Sequence, residues 1–118
     1  MKINKRNECA FTLVEIMIVV AIIGLLAAIA IPNFVKSRAT AQKNSCIANL
    51  KQIDGAVQQW ALENKKVATD TYSTTDTTLL AYLKGSRLPE CPSGGSYSAG
   101  ANVTGAPTCS QSAVGHTL

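Results

Sequence analysis

A-F-T-L-V-E-I-M-I-V-V-A-I-I-G-L-L-A-A-I-A-I-P-N-F, residues 10–34, decides the fold. Between Phe11 and Ile31 there are 21 residues, and only Thr12 and Glu15 are polar. At 1.5 Å per residue a helix of that length reaches roughly 30 Å, the thickness of one bilayer core. A carboxylate inside such a segment costs about 2 to 4 kcal/mol, less near an end than at the centre. Glu15 therefore needs a compensating partner. The apolar run also ends unusually, because Pro32 removes a backbone donor without adding a strong stop signal around it.

Working outward, Lys2, Lys5 and Arg6 precede the run, and positive residues stay on the cytoplasmic side. Everything after Ile31 is then expected to be extracytoplasmic, where disulfides are permitted. The formal charge of +4 falls to about +2 without residues 1–10, which carry three basic residues and one acidic one. No dense Lys/Arg stripe with interleaved aromatics remains, so nucleic-acid binding is not supported.

Downstream, residues 35–65 contain no proline, and only Gly55 interrupts good helix formers. Cys46, Leu50, Ile53, Val57 and Trp60 recur at steps of four, three, four and three, one face of an α-helix. Lys43, Asn49, Lys51, Gln52, Gln58 and Gln59 fall mostly off that face and read as its wet side. The periodicity predicts a helix that continues through Pro32 to about residue 64. Residues 65–118 are too polar to bury a core alone and are expected to fold against the stripe. Within them T-T-L-L-A-Y-L-K, residues 77–84, reads as a short helix capped by Thr75 or Asp76 and stopped by Gly85. Beyond L-P-E-C-P, short turn-punctuated segments predict an antiparallel sheet of two or three strands, with Tyr97 and Val103 in its core. Asn102-Val103-Thr104 matches a glycosylation sequon but reads as a turn–strand junction. The fold class is α+β: one long helix, hydrophobic then amphipathic, packed on a small head.

A basic leader, small Ala10, then F-T-L-V-E-I, Gly24 and I-P-N-F together resemble the N-terminal signal of type IV pilins and type II secretion pseudopilins. The resemblance implies a cut between Ala10 and Phe11 by a prepilin peptidase, which then N-methylates Phe11. Glu15 falls on the family's fifth mature residue, and Gly24 and Pro32 on its helix-weakening positions. Ala10 departs from the usual glycine before the cut. The implied organisation is a removed leader (1–10), a transmembrane and filament-core helix (11–31), an amphipathic continuation (32–64) and a head (65–118). The implied life history runs from a single-pass inner-membrane protein to a homopolymeric filament, either a surface pilus or a periplasmic pseudopilus. An assembly platform and an ATPase, both separate chains, drive that step in the family. The amine exposed at Phe11 is the natural partner for Glu15, in the same chain or in a neighbouring subunit. Major pseudopilins of that family usually carry an acidic calcium-binding loop near the C-terminus; here Glu90 is the last acidic residue, which favours a pilus or a minor component. An alternative of another class is a secreted binding module cut after Ala28-Ile29-Ala30.

Cys9 would leave with the leader, and Cys46, Cys91 and Cys109 would remain. Cys91 and Cys109 flank the expected sheet and would close an 18-residue loop, a disulfide worth about 3 kcal/mol. Cys46 reads as a buried thiol of the stripe that could replace either partner. Cys91, Cys109 and His116 offer three metal ligands, but no C-x-x-C or H-x-x-x-H spacing accompanies them, so neither a metal nor a cofactor is predicted. His116 reads as a solvated residue. Ser110, Ser112 and His116 have no acidic orienter, nucleophile elbow or phosphate loop nearby, and no enzyme is predicted.

Overall fold

The computed structural model describes residues 10–118. The order of elements is α1 (Leu13–Glu63), α2 (Thr77–Leu80), a 3-10 turn at Lys84–Ser86, β1 (Tyr97–Ser98), β2 (Thr108–Cys109) and a second 3-10 turn at Ser112–Val114. This is the α+β arrangement the sequence predicts. Lys2, Lys5, Arg6 and Cys9 of the expected leader lie outside the described residues. The chain divides into two compact units, up to Ser37 and from Arg38 to Leu118.

In the first unit, α1 passes through Gly24 and Pro32 without ending. Pro32 has no N–H to give the Ala28 carbonyl, yet the flanking helix formers carry the helix on. None of the large apolar side chains from Phe11 to Val35 is buried.

In the second unit the stripe behaves as its spacing requires: Cys46, Leu50, Ile53, Val57 and Trp60 are all buried, joined by Ala56 and Ala61. They share one core with Tyr72, Leu79, Cys91, Tyr97, Val103 and Cys109. The helix closes with paired bonds, Lys66 N–H to the Ala61 carbonyl at 2.8 Å and Lys65 N–H to that of Leu62 at 3.4 Å. Lys65 sits between them at φ 53, the left-handed position that glycine usually takes in this cap. Lys66 then lies 5.5 Å from the Trp60 ring centroid, a cation–π contact.

The short helix is shorter than expected. Asp76 caps it by accepting the Thr78 N–H at 2.9 Å, but α2 ends at Leu80 and the chain continues as turns to Gly85, at φ 74. The sheet has two strands, with Tyr97 opposite Cys109 and Ser98 opposite Thr108. Tyr97 and Val103 are buried as predicted. Val103, however, lies in a turn and not at the start of a strand, because Asn102 folds its side chain back: Gly105 N–H and the Thr104 hydroxyl both donate to Asn102 Oδ1, at 2.9 and 2.7 Å.

Candidate functional site

Two sites carry chemistry, one in each unit. The first is the start of α1. Ala10 and Phe11 are exposed and precede the helix. Thr12 occupies the N-cap: its Oγ1 accepts the Glu15 N–H at 3.2 Å, and Glu15 Oε2 accepts the Thr12 N–H at 3.2 Å. This reciprocal pair is a capping box, which satisfies two orphan donors of the first turn and places a negative charge at the positive end of the helix dipole. Glu15 thus has a local partner that the sequence reading did not identify, although T-x-x-E immediately before an apolar run is its signature.

Around and beyond this box, the large apolar side chains between Phe11 and Val35 form an uncovered band, from 49% exposed at Ile16 to 80% at Phe11. The helix is long and apolar enough to cross a membrane, with a mean hydropathy of 2.9 over its most apolar window. So large an uncovered apolar surface marks contact with lipid or protein. Gly24 and Pro32 both lie inside the band, and a Cβ at Gly24 would meet nothing within 4 Å.

The second site is inside the head unit. Cys46 from α1, Cys91 from the loop before β1, Cys109 from β2 and His116 are all buried, and their ligand atoms lie within 4.8 Å of one another. Cys91 Sγ is 3.7 Å from His116 Nδ1. The three cysteines are free thiols, so the disulfide expected between Cys91 and Cys109 is not formed in this structure. His116 is 4% exposed, which corrects its reading as a solvated residue: Gly115, at φ 87, turns the chain inward there. Cys46, placed by the helical stripe alone, proves to be the fourth member of the group.

The local geometry around these sulfurs follows from the C-P-S-G-G sequence. Gly94 N–H closes a turn on the Cys91 carbonyl at 2.9 Å, with Pro92 where a fixed φ favours turning. A Cβ on Gly95 would stand 2.9 Å from Cys109 Sγ, so only glycine lets the backbone approach that sulfur. Burial pushes the Cys46 thiol up to about 12, reinforced by Cys109 and Cys91 and opposed by the Tyr97 hydroxyl. Burial also raises Cys91, but the Ser93 N–H, the Cys46 thiol, the Gly95 N–H and His116 outweigh it and hold that group at about 6. Tyr97 is itself raised by burial.

Comparison with known proteins follows the same division. The family model of the prokaryotic N-terminal methylation motif matches residues 5–31. The type IV major pilin PilA of Myxococcus xanthus is 48% identical over 65 residues, covering 55% of this chain and 29% of the pilin. The type II secretion system core protein G of Klebsiella pneumoniae is 31% identical over 108 residues, covering 78% of this chain and 74% of that protein. A fimbrial protein of Pseudomonas aeruginosa is 42% identical over 62 residues, covering 52% of this chain and 40% of its own length. The chain thus spans less than half of the Myxococcus and Pseudomonas relatives. No solved structure matches it significantly.

Proposed function

The chain belongs to the type IV pilin and type II secretion pseudopilin family, and we propose that it is a structural subunit of a type IV pilus or pilus-like filament, polymerised through its N-terminal helix. The observation that carries this reading is the bare apolar band from Phe11 to Val35. In a precursor, lipid covers it; once the helix leaves the bilayer, only the same band on other copies offers a matching surface, and burying it there is strongly favourable.

Residues 1–10 are the leader, and a prepilin peptidase cuts between Ala10 and Phe11 and methylates Phe11. The exposed, non-helical backbone at that bond suits a protease. Before the cut the chain sits in the inner membrane with its N-terminus cytoplasmic, held there by Lys2, Lys5 and Arg6. The cut removes those charges and lowers the barrier to extraction by the assembly platform and its ATPase. It also creates a cationic amine at Phe11, which Glu15 neutralises in the poorly hydrated filament core. Gly24 and Pro32 are the points at which the helix yields when the copies pack.

A pseudopilin of a type II secretion system is the second reading, favoured by the match over 74% of the Klebsiella core protein G. Mass spectrometry of the mature chain tests the common part: N-methyl-Phe11 is expected, while Ile31 as first residue would make the chain a secreted module and overturn the filament. Electron microscopy of sheared cells separates the two readings, since a pilus gives surface filaments and a pseudopilus does not.

A further inference from the structure

The geometry points to a structural zinc site in the head unit, with Cys46, Cys91, Cys109 and His116 as its four ligands. The ligand atoms lie within 4.8 Å of one another and all four residues are buried. A tetrahedral zinc with sulfur ligands at 2.3 Å sets its donor atoms about 3.8 Å apart. The Cys91 Sγ to His116 Nδ1 distance of 3.7 Å already fits, and the remaining donors need to move inward by no more than about 1 Å.

Stoichiometry favours a metal over a disulfide. A bond between two of the three sulfurs engages neither the third thiol nor the buried imidazole, whereas one zinc engages all four groups. Three thiolates and an imidazole form a soft donor set suited to zinc and unsuited to calcium or magnesium. Four protein ligands leave no open position, so the site is structural and not catalytic.

The surroundings are those of an anionic metal–thiolate centre. Backbone and polar groups crowd the sulfurs: a Cβ on Gly95 would stand 2.9 Å from Cys109 Sγ, and Tyr97, the register partner of Cys109, is held by Asn49 Nδ2 at 3.1 Å, the kind of surroundings that orient thiolate ligands. Zinc with three thiolates carries one net negative charge. A Cβ on Gly115 would meet the Lys43 Nζ at 2.8 Å, so an ammonium group lies against the residue preceding His116. The ligands come from α1, the turn after Pro89, β2 and the segment after Val114. One ion would therefore tie together four stretches that the two-residue strands cannot hold by themselves.

The test uses the full chain, extracted in detergent from membranes without reductant or chelator. Metal analysis should find one zinc per chain. Peptide mapping should show Cys46, Cys91 and Cys109 unalkylated by iodoacetamide until a chelator is added. His116→Gln should weaken zinc binding at least tenfold, and His116→Cys, which restores four ligands, should retain it. A disulfide between any two of the three cysteines overturns the proposal. So does a zinc-free chain whose thiols alkylate at the same rate with and without chelator. The wild-type measurement decides even if a variant misfolds, and none of these outcomes depends on filament formation.

Discussion

Glu15 has two partners to choose between, and they can be separated by exchanging the right atoms. In the isolated chain it closes a capping box with Thr12 through two bonds of 3.2 Å. Thr12→Ala destroys the cap and keeps the charge, at a cost of about 1 kcal/mol. Glu15→Gln does the converse, because a glutamine carbonyl also completes the box while no charge remains to meet the Phe11 amine. An uncompensated ion in a desolvated filament centre costs about 3 to 5 kcal/mol. At 1.4 kcal/mol per decade, the loss of 3 kcal/mol per subunit raises the concentration needed for assembly by about a hundredfold, against about fivefold for the cap alone. The assay is the amount of filament recovered by shearing, normalised to processed subunit in the membrane fraction. Thr12→Ala should still yield filaments and Glu15→Gln should yield almost none, with both chains inserted and cut. If Glu15→Gln assembles like the wild type, or Thr12→Ala fails as completely, the charge-pairing argument is wrong and Glu15 is a helix cap.

Leu50 is fully buried at the centre of the stripe, so Leu50→Ala should destabilise the head by about 2 to 5 kcal/mol, read from the urea midpoint of the full chain in detergent. Lys65 holds a left-handed φ of 53 in the cap of α1, and Lys65→Gly should raise the melting temperature by relieving about 1 kcal/mol of strain. A Cβ on Gly100 would collide with the backbone of Gly105 and Ala106, atoms fixed by the Asn102 turn; Gly100→Ala should cost about 1 to 3 kcal/mol, and an unchanged midpoint would contradict that contact. The Thr78 hydroxyl, then its N–H, hold Asp76 below the usual 3.8, so the cap of α2 contributes above pH 3.8 and is lost as pH falls through the lower folded value. A carboxyl titration by NMR should find that depressed midpoint and see it return toward 3.8 in Thr78→Val.

Much of this was legible because helical periodicity is a local property. Cys46, Leu50, Ile53, Val57 and Trp60 announce their shared face through spacing alone, and the structure buries all of them. The exposed band was equally plain, since no polar residue interrupts it between Glu15 and Asn33. The thiol cluster was only half legible. Its cysteines were visible, but their convergence is tertiary: the intervals between 46, 91, 109 and 116 match no metal-ligand repeat. His116 is buried next to Gly115 at φ 87, a conformation that the sequence G-H does not specify. The short helix ended early although Leu83 continues the apolar pattern of Leu79: after Leu80 the chain tightens into turns, Tyr82 N–H to the Leu79 carbonyl at 3.1 Å and Leu83 N–H to that of Leu80 at 3.0 Å, and Leu83 itself is extended at φ −99, ψ 151.

Spacing assigns the polar edge of the stripe to solvent, and three amides on α1 depart from that assignment. A ladder of two-residue strands is marginal alone, so the loop carbonyls around it need other donors. The amide side chains of α1 provide them. Gln42 Nε2 reaches the Pro92 carbonyl at 3.4 Å, Asn49 Nδ2 the Glu90 carbonyl at 3.0 Å, and Gln58 Nε2 the Val103 carbonyl at 2.8 Å. Asn49 also donates to the Tyr97 hydroxyl at 3.1 Å, and Tyr97 is the register partner of Cys109. One amide on the helix edge thereby fixes both the loop that carries Cys91 and the strand that carries Cys109. Amides are neutral to hydrophobic pattern, so spacing cannot distinguish a clamp from a solvated side chain. Here geometry does, because each donor meets the main chain of a segment without a long enough strand to satisfy itself.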